Sequence, residues 1–157
     1  MPQPVVCNAS PLIALDQIGH LDLLEKLFST ILIPPAVTRE AVPTVTLPDW
    51  INEHTLTQPI GPQILHASLG PGESEAISLA LEVSARWVIL DDRPARRIAE
   101  ALGLPVIGTL GILLACKRRT FLSAVRPHLD TLLNFGFRIS PDLYDLVLID
   151  AGESEDK

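Results

Sequence analysis

Oxygen-bearing side chains stand at several points of this chain where an α/β protein brings chemistry to one edge. Glu73 and Glu75 open a helix-like segment just after the turn signal Gly70-Pro71-Gly72. Asp91 and Asp92 end the short apolar run Trp87 to Leu90, and Asn8 ends another, Val5-Val6-Cys7. Glu40 lies on the segment that follows a third such run, Ile31 to Ile33. Strand ends and helix starts share the rim of a parallel sheet. Carboxylates gathered there suit a hard divalent cation, Mg²⁺ or Mn²⁺, held by a few protein oxygens together with water and substrate phosphates. One or two such ions, ~3.5–4 Å apart when paired, activate water and stabilise the leaving oxygen in phosphodiester cleavage.

Each of these residues also has an ordinary reading. Ala76, Ile77 and Ala80 follow Glu73 at i+3, i+4 and i+7, so Glu73 heads an apolar stripe, whereas Glu75 with Ser78 and Glu82 reads as solvent-facing. Glu73 is therefore favoured as the site acid and Glu75 is its rival. Either could simply complement the helix dipole. One of Asp91 and Asp92 is expected in the site and the other as N-cap of the next helix. Glu40 reads as a ligand or as an exposed helix carboxylate, and Asn8 as a ligand or an Asx-turn residue. Ser10, before Pro11, reads as an N-cap. Arg93, Arg96 and Arg97 on an outward helix face could guide a phosphate backbone to the acids, as could the run Lys117-Arg118-Arg119. The alternatives are a solvated face and cations at a helix C-terminus. The histidines lack ligand spacing, and Trp50 and Trp87 read as core or interface.

The elements that must position these groups are legible. Apolar runs at 5–7, 31–33, 87–90 and 105–107 read as short buried strands, with an edge strand at most around Trp50-Ile51 or Thr55-Leu56-Thr57. Helical patterns are expected from Pro11 to Ile18, His20 to Phe28, Pro35 to about Val42, Gln63 to Leu69, Glu73 to Ser84, Pro94 to Leu102, and Thr109 into Lys117. Two more are expected near Ser123 to Asn134 and Ser140 to Ile149. Strands that are apolar throughout, alternating with helices, argue for a sheet covered on both faces. The expected fold is a three-layer α/β/α sandwich with a short-stranded, mainly parallel sheet. Residues 1–150 would form one domain and 151–157 a polar, frayed tail.

A length of 157 residues suffices for one core. The chain is 47% hydrophobic, with no apolar run near the ~20 residues of a membrane span. With no signal-type N-terminus, a cytoplasmic location is expected, with Cys7 and Cys116 reduced. A net charge of −7 opposes bulk attraction to nucleic acid, so a cation would have to mediate any such contact.

Taken together, Val6-Cys7-Asn8-Ala9-Ser10-Pro11-Leu12-Ile13, Ile33-Pro34-Pro35-Ala36-Val37 with Glu40, Gly72-Glu73-Ser74-Glu75-Ala76 and Leu90-Asp91-Asp92-Arg93 resemble the PIN-domain proteins of the DUF3368 branch. Ala95-Arg96-Arg97-Ile98-Ala99, Val106 to Gly111 and Gly136 to Ser140 extend the resemblance over nearly the whole chain. It implies an acidic cluster binding Mg²⁺ or Mn²⁺ that cleaves RNA, in a family where many members are toxins with a partner antitoxin. By position, Asn8 takes the place of the first acid, Glu40 the second, Glu73 or Glu75 the third, and Asp91 or Asp92 the fourth. Ser10 and Thr109 would be supporting hydroxyls, and Arg93, Arg96 and Arg97 the contacts to RNA. The departure is Asn8, where the active pattern has Asp: an amide oxygen can ligate but adds no charge and cannot act as a base.

Two functions follow as expectations: a metal-dependent endoribonuclease with an antitoxin-like protein as partner, or a catalytically silent PIN-like module that binds nucleic acid or protein. A phosphoacceptor resembling a receiver domain ranks below both, for want of a separately placed lysine. Homodimerisation is expected, through apolar helices such as Ile112 to Ala115.

Overall fold

Strands of two or three residues build the sheet, apolar throughout except at the edge. The computed structural model describes residues 3–58, 61 and 65–154. Strands β1 (Val5–Cys7), β2 (Ile31–Ile33), β3 (Ile51–Glu53), β4 (Trp87–Ile89) and β5 (Val106–Ile107) pair in the order β3-β2-β1-β4-β5. Every pairing is parallel. Central β1 is buried at all its positions because helices cover both faces, so neither face needs polar residues. On the edge strand β3, Asn52 and Glu53 are exposed, which guards an otherwise open ladder. Thr55-Leu56-Thr57 forms no strand. Instead the Thr57 and Gln58 amides donate to the Glu82 carboxylate at 3.0 and 2.6 Å.

The strand order places the site. From β1 the chain winds outward through β2 and β3, then returns to β4 on the other side of β1. Crossovers therefore diverge beyond the C-terminal ends of β1 and β4, leaving a crevice at this switch point. Asn8 directly follows β1, and Asp91 follows β4 after Leu90.

Helices α1 (Ala9–Gln17), α2 (Asp22–Phe28) and α3 (Pro35–Ala41) accompany the first strands. The later ones are α4 (Pro71–Glu82), α5 (Arg93–Ala101), α6 (Thr109–Arg118), α7 (Arg126–Asn134) and α8 (Pro141–Asp150). Helix α4 contacts β1, β4 and α3, so it buries a wide face of small residues, Gly72, Ser74, Ala76, Ser78 and Ala80, around Ile77 and Leu79. The solvent-facing line drawn through Glu75, Ser78 and Glu82 is thereby corrected. Ser78 is buried and Glu75 is half-buried, because α3 covers that side of α4. The short helix expected over 63–69 begins on residues outside those described; the Ser68 and Leu69 amides turn back onto the Leu65 carbonyl.

Helix α6 packs against α1 and α2, and α8 packs against α6. Ile112 and Leu113 are fully buried in that packing, so they are core and not the free dimer face read from the sequence. The large apolar side chains left exposed on α8 are Leu143, Leu146 and Ile149. Cys7 and Cys116 are free and buried.

The polar residues after α8 are not frayed at Glu153. Its carboxylate accepts from the Val125 amide at 2.6 Å, the Arg126 amide at 3.0 Å and Lys117 Nζ at 2.8 Å. This one side chain joins the end of α6 to the start of α7. Burial raises the Glu153 carboxyl, but Lys117 and the two amides together outweigh it and hold the group below its ordinary value. Its contribution is thus present above the unfolded carboxylate range and is lost as pH falls through the depressed value. Glu153→Ala is expected to destabilise the fold by about 1–3 kcal/mol at neutral pH, since two backbone amides lose their acceptor. The deficit should shrink below about pH 4, which urea unfolding of both proteins across pH measures.

Candidate functional site

Helices α3, α4 and α6 begin without an acceptor of their own. Their N-cap residues are Pro34, Gly70 and Gly108, none of which makes a side-chain cap bond. Each helix start nevertheless needs partners for amides that have none within the helix. Carboxylates from other elements supply them. Glu75 Oε1 on α4 accepts from Ala36 N on α3 at 2.9 Å, and Glu40 Oε1 on α3 accepts from Gly72 N on α4 at 3.1 Å. Since Pro35 and Pro71 occupy the first helical positions, Ala36 and Gly72 carry the first free amides, and the two helices cap each other reciprocally. At α6, Asp91 Oδ1 accepts from Thr109 N at 2.8 Å and Oδ2 from Thr109 Oγ1 at 2.6 Å.

These bonds explain two glycines. A Cβ on Gly72 would meet both Glu40 carboxylate oxygens at 2.6 Å, and one on Gly108 would meet Asp91 Oδ1 at 2.9 Å and the Arg96 guanidinium. Burial, then the neighbouring charge of Glu73, raises the Glu40 carboxyl above its ordinary value; the Gly72 amide opposes this and Glu75 adds to it. Glu73 bears no hydrogen bond or ion pair among the described residues, which sets it apart from Glu40, Glu75 and Asp91. Burial also raises Asp91, opposed by the two Thr109 bonds and by Arg96.

Asn8 presents an unmet acceptor. It is 2% exposed, and its Oδ1 has no hydrogen-bond partner among the described residues. The structure makes Asn8, not Ser10, the N-cap of α1. A capping oxygen ordinarily accepts from the second or third helical amide. Here the third position is Pro11, which has no N–H, and Asn8 makes no side-chain cap bond. Its backbone is fixed beside β4 by Asn8 N donating to Ile89 O at 3.0 Å. The buried Cys7 thiol, raised by desolvation and then by the Asp91 charge, donates to Asn8 O at 3.2 Å.

The remaining candidates divide. Asp92 is exposed and caps α5, accepting from Ala95 N at 3.1 Å, while Asp91 faces Thr109. Arg93 and Arg97 are exposed, but Arg96 is not outward as expected: it is half-buried and donates from Nη1 to Leu90 O at 3.3 Å. Lys117 to Arg119 sit at the far end of α6 from Asp91, roughly 15 Å away by helical rise, with Lys117 paired to Glu153 and Arg119 over the Phe121 ring. Ser10 is exposed at the mouth of a shallow groove beside Asp91, which Gln17, Phe135 and Phe137 also line. Phe135 and Phe137 are marked in the sequence by the glycine between them just past a helix end, whereas nothing local marks Gln17. Among the described residues, no three His, Cys, Asp or Glu side chains form a group that could hold a metal ion. No helix among them is long and apolar enough to cross a membrane.

Two measurements probe this arrangement. Gly72→Ala should displace the Glu40 carboxylate, so that in an NMR titration Glu40 moves toward an ordinary carboxylate value. Stability should change by less than about 1 kcal/mol, because alanine's helix preference offsets the lost bond. For Asp91, a raised folded value means the folded state binds more protons between the ordinary and raised values, so stability falls as pH rises through that window. Thr109→Val removes a bond to the charged form and widens the window. It should cost roughly 1–3 kcal/mol at pH 7 and less near pH 4, read by denaturant unfolding.

Residues 4–153 match the family described as DUF3368, PIN domain. No curated protein matches the chain.

Proposed function

Because the chain belongs to the DUF3368 family of PIN domains, a nuclease-type fold whose members generally use divalent metal ions, we propose that it is a metal-dependent endoribonuclease with its site at the β1–β4 crevice. The observation that carries the reading is the buried Asn8 Oδ1 at the end of β1, a hard oxygen acceptor with no donor among the described residues. An unmet buried acceptor of this kind costs about 1–3 kcal/mol, and a cation would satisfy it. The donor types suit it: carboxylate and amide oxygens are ligands for Mg²⁺ or Mn²⁺, and an ion that keeps several waters needs no closed cage of protein ligands.

Among the described residues no three of the acids are grouped as ligands, so Glu40, Glu73 and Asp91 would have to draw in around the ion and share it with water, with Asn8 as a neutral donor and Glu75 alongside. Bound there, it would supply water activation and neutralise charge at the phosphodiester. The protein's own residues do the rest. Thr109 fixes both Asp91 oxygens, the Gly72 amide fixes Glu40, and the Ala36 amide fixes Glu75. Glu73 has no such bond among the described residues, so its carboxylate is free to turn toward the ion or its water. Arg93 and Arg97 are open to the phosphates of RNA, while Asp92 remains the cap of α5. A toxin role with an antitoxin-like partner, a homodimer and a cytoplasmic setting belong to the same reading. The exposed Leu143, Leu146 and Ile149 on α8 are apolar surface open to either protein partner.

A second reading, a catalytically silent module that binds nucleic acid or protein, is favoured by the charge missing at Asn8. Incubation of single-stranded RNA with Mn²⁺ decides between them. Cleavage by the wild type, abolished in Glu73→Gln with an unchanged melting temperature, is the expected result. Asn8→Asp should raise the rate about tenfold or more, as an added anion strengthens the site by ~1.4 kcal/mol. Cleavage confined to Asn8→Asp would establish the silent module, and no cleavage by either protein would overturn the nuclease reading.

A further inference from the structure

The groove beside Asp91 has two unlike walls. On α1, Ser10, Ile13 and Gln17 follow one another at i, i+3 and i+7, so they share a face. Opposite stand Phe135 and Phe137, on either side of Gly136 in the turn that ends α7. Gly136 takes φ 90°, the left-handed region open to glycine. The turn is closed by Phe135 N to Thr131 O at 3.1 Å, Gly136 N to Leu133 O at 3.0 Å and Phe137 N to Leu132 O at 3.0 Å. Bonds of this kind form a helix-ending motif that fixes the turn. Held in this way, the Phe135 ring remains 54% exposed.

The contents of the groove select its occupant. It offers flat aromatic surface, an apolar floor at Ile13, a hydroxyl and a carboxamide at its edge, and Asp91 at one end. Among the described residues its lining includes no cation, so a phosphate has no partner inside it and a carboxylate ligand would face Asp91. An unpaired nucleobase fits each feature: π faces stack on aromatic rings, and base edges exchange hydrogen bonds with amide and hydroxyl groups. Because Asp91 belongs both to this groove and to the proposed site, a base seated here lies next to the backbone that site would engage.

We infer that the groove is a subsite for one unpaired base of single-stranded RNA, stacked on Phe135 and contacted at its edge by Gln17 and Ser10. This inference rests on the ribonuclease reading and adds what that reading lacks, a reason for single-strand preference. A duplex cannot offer a base face without opening.

The test is fluorescence anisotropy with a labelled single-stranded oligoribonucleotide, in Ca²⁺ to hold the backbone without turnover, and with a set of oligonucleotides each carrying one abasic residue. Wild type should lose about tenfold in affinity when the abasic position meets the groove, the low end of base–aromatic stacking. Phe135→Leu, which keeps an apolar side chain at an exposed position, should bind the intact strand about tenfold more weakly and become indifferent to that abasic position. Phe135→Trp should restore both. A Phe135→Leu protein that binds the intact strand as wild type does, or still senses the abasic position, overturns the subsite and leaves the ribonuclease reading standing. A wild type that neither binds nor cleaves RNA removes that reading and the subsite with it.

Discussion

Carboxylates seated on bare helix starts hold this molecule's rim together. Pro34, Gly70 and Gly108 bring the chain into α3, α4 and α6 without offering an acceptor, and Glu75, Glu40 and Asp91 reach in from elsewhere to provide one. Each contact opposes a negative side chain to the positive end of a helix dipole. It also links elements distant in sequence: Glu75 and Ala36 are 39 residues apart, and Asp91 and Thr109 are 18 apart. The crevice at the switch point takes its shape from these links.

The same arrangement tunes the acids. A carboxylate set beside others, as Glu40 is beside Glu73 and Glu75, or buried, as Asp91 is, would be costly without donors, and a helix amide partly offsets that cost at each. Both remain above their ordinary values, so some electrostatic stress persists at neutral pH. Asn8 adds no negative charge to the rim, but its buried oxygen is left without a donor among the described residues, which is itself a cost.

Away from the rim, another half-buried carboxylate also works on backbone amides. Glu153 binds the start of α7 to the end of α6, and α7 ends in the turn that presents Phe135. The groove wall beside Asp91 is therefore tied to the core at both ends of one helix, which suits a surface that must keep its shape on binding.

Much of this was set by local residue choice. Apolar runs of strand length, helix starts at Pro35 and Pro71, and helix ends at Gly19, Gly103 and Gly136 follow from backbone and burial preferences that act over a few residues. So the parallel α/β architecture and the acids at its rim were legible in the chain, as was the resemblance to PIN domains. What each acid touches was not. Periodicity turned Glu75 toward solvent, yet α3 covers that side of α4, because the direction in which a helix buries a face depends on every neighbour it meets. Arg96 folds inward because Gly108, from another strand end, leaves room for it. Asn8 keeps an orphan oxygen because Pro11 falls three residues after the cap, a consequence visible only once the helix start is fixed by packing. Covalent spacing fixes local conformation, whereas the partner of a side chain is decided by elements that only the folded chain brings within hydrogen-bonding distance.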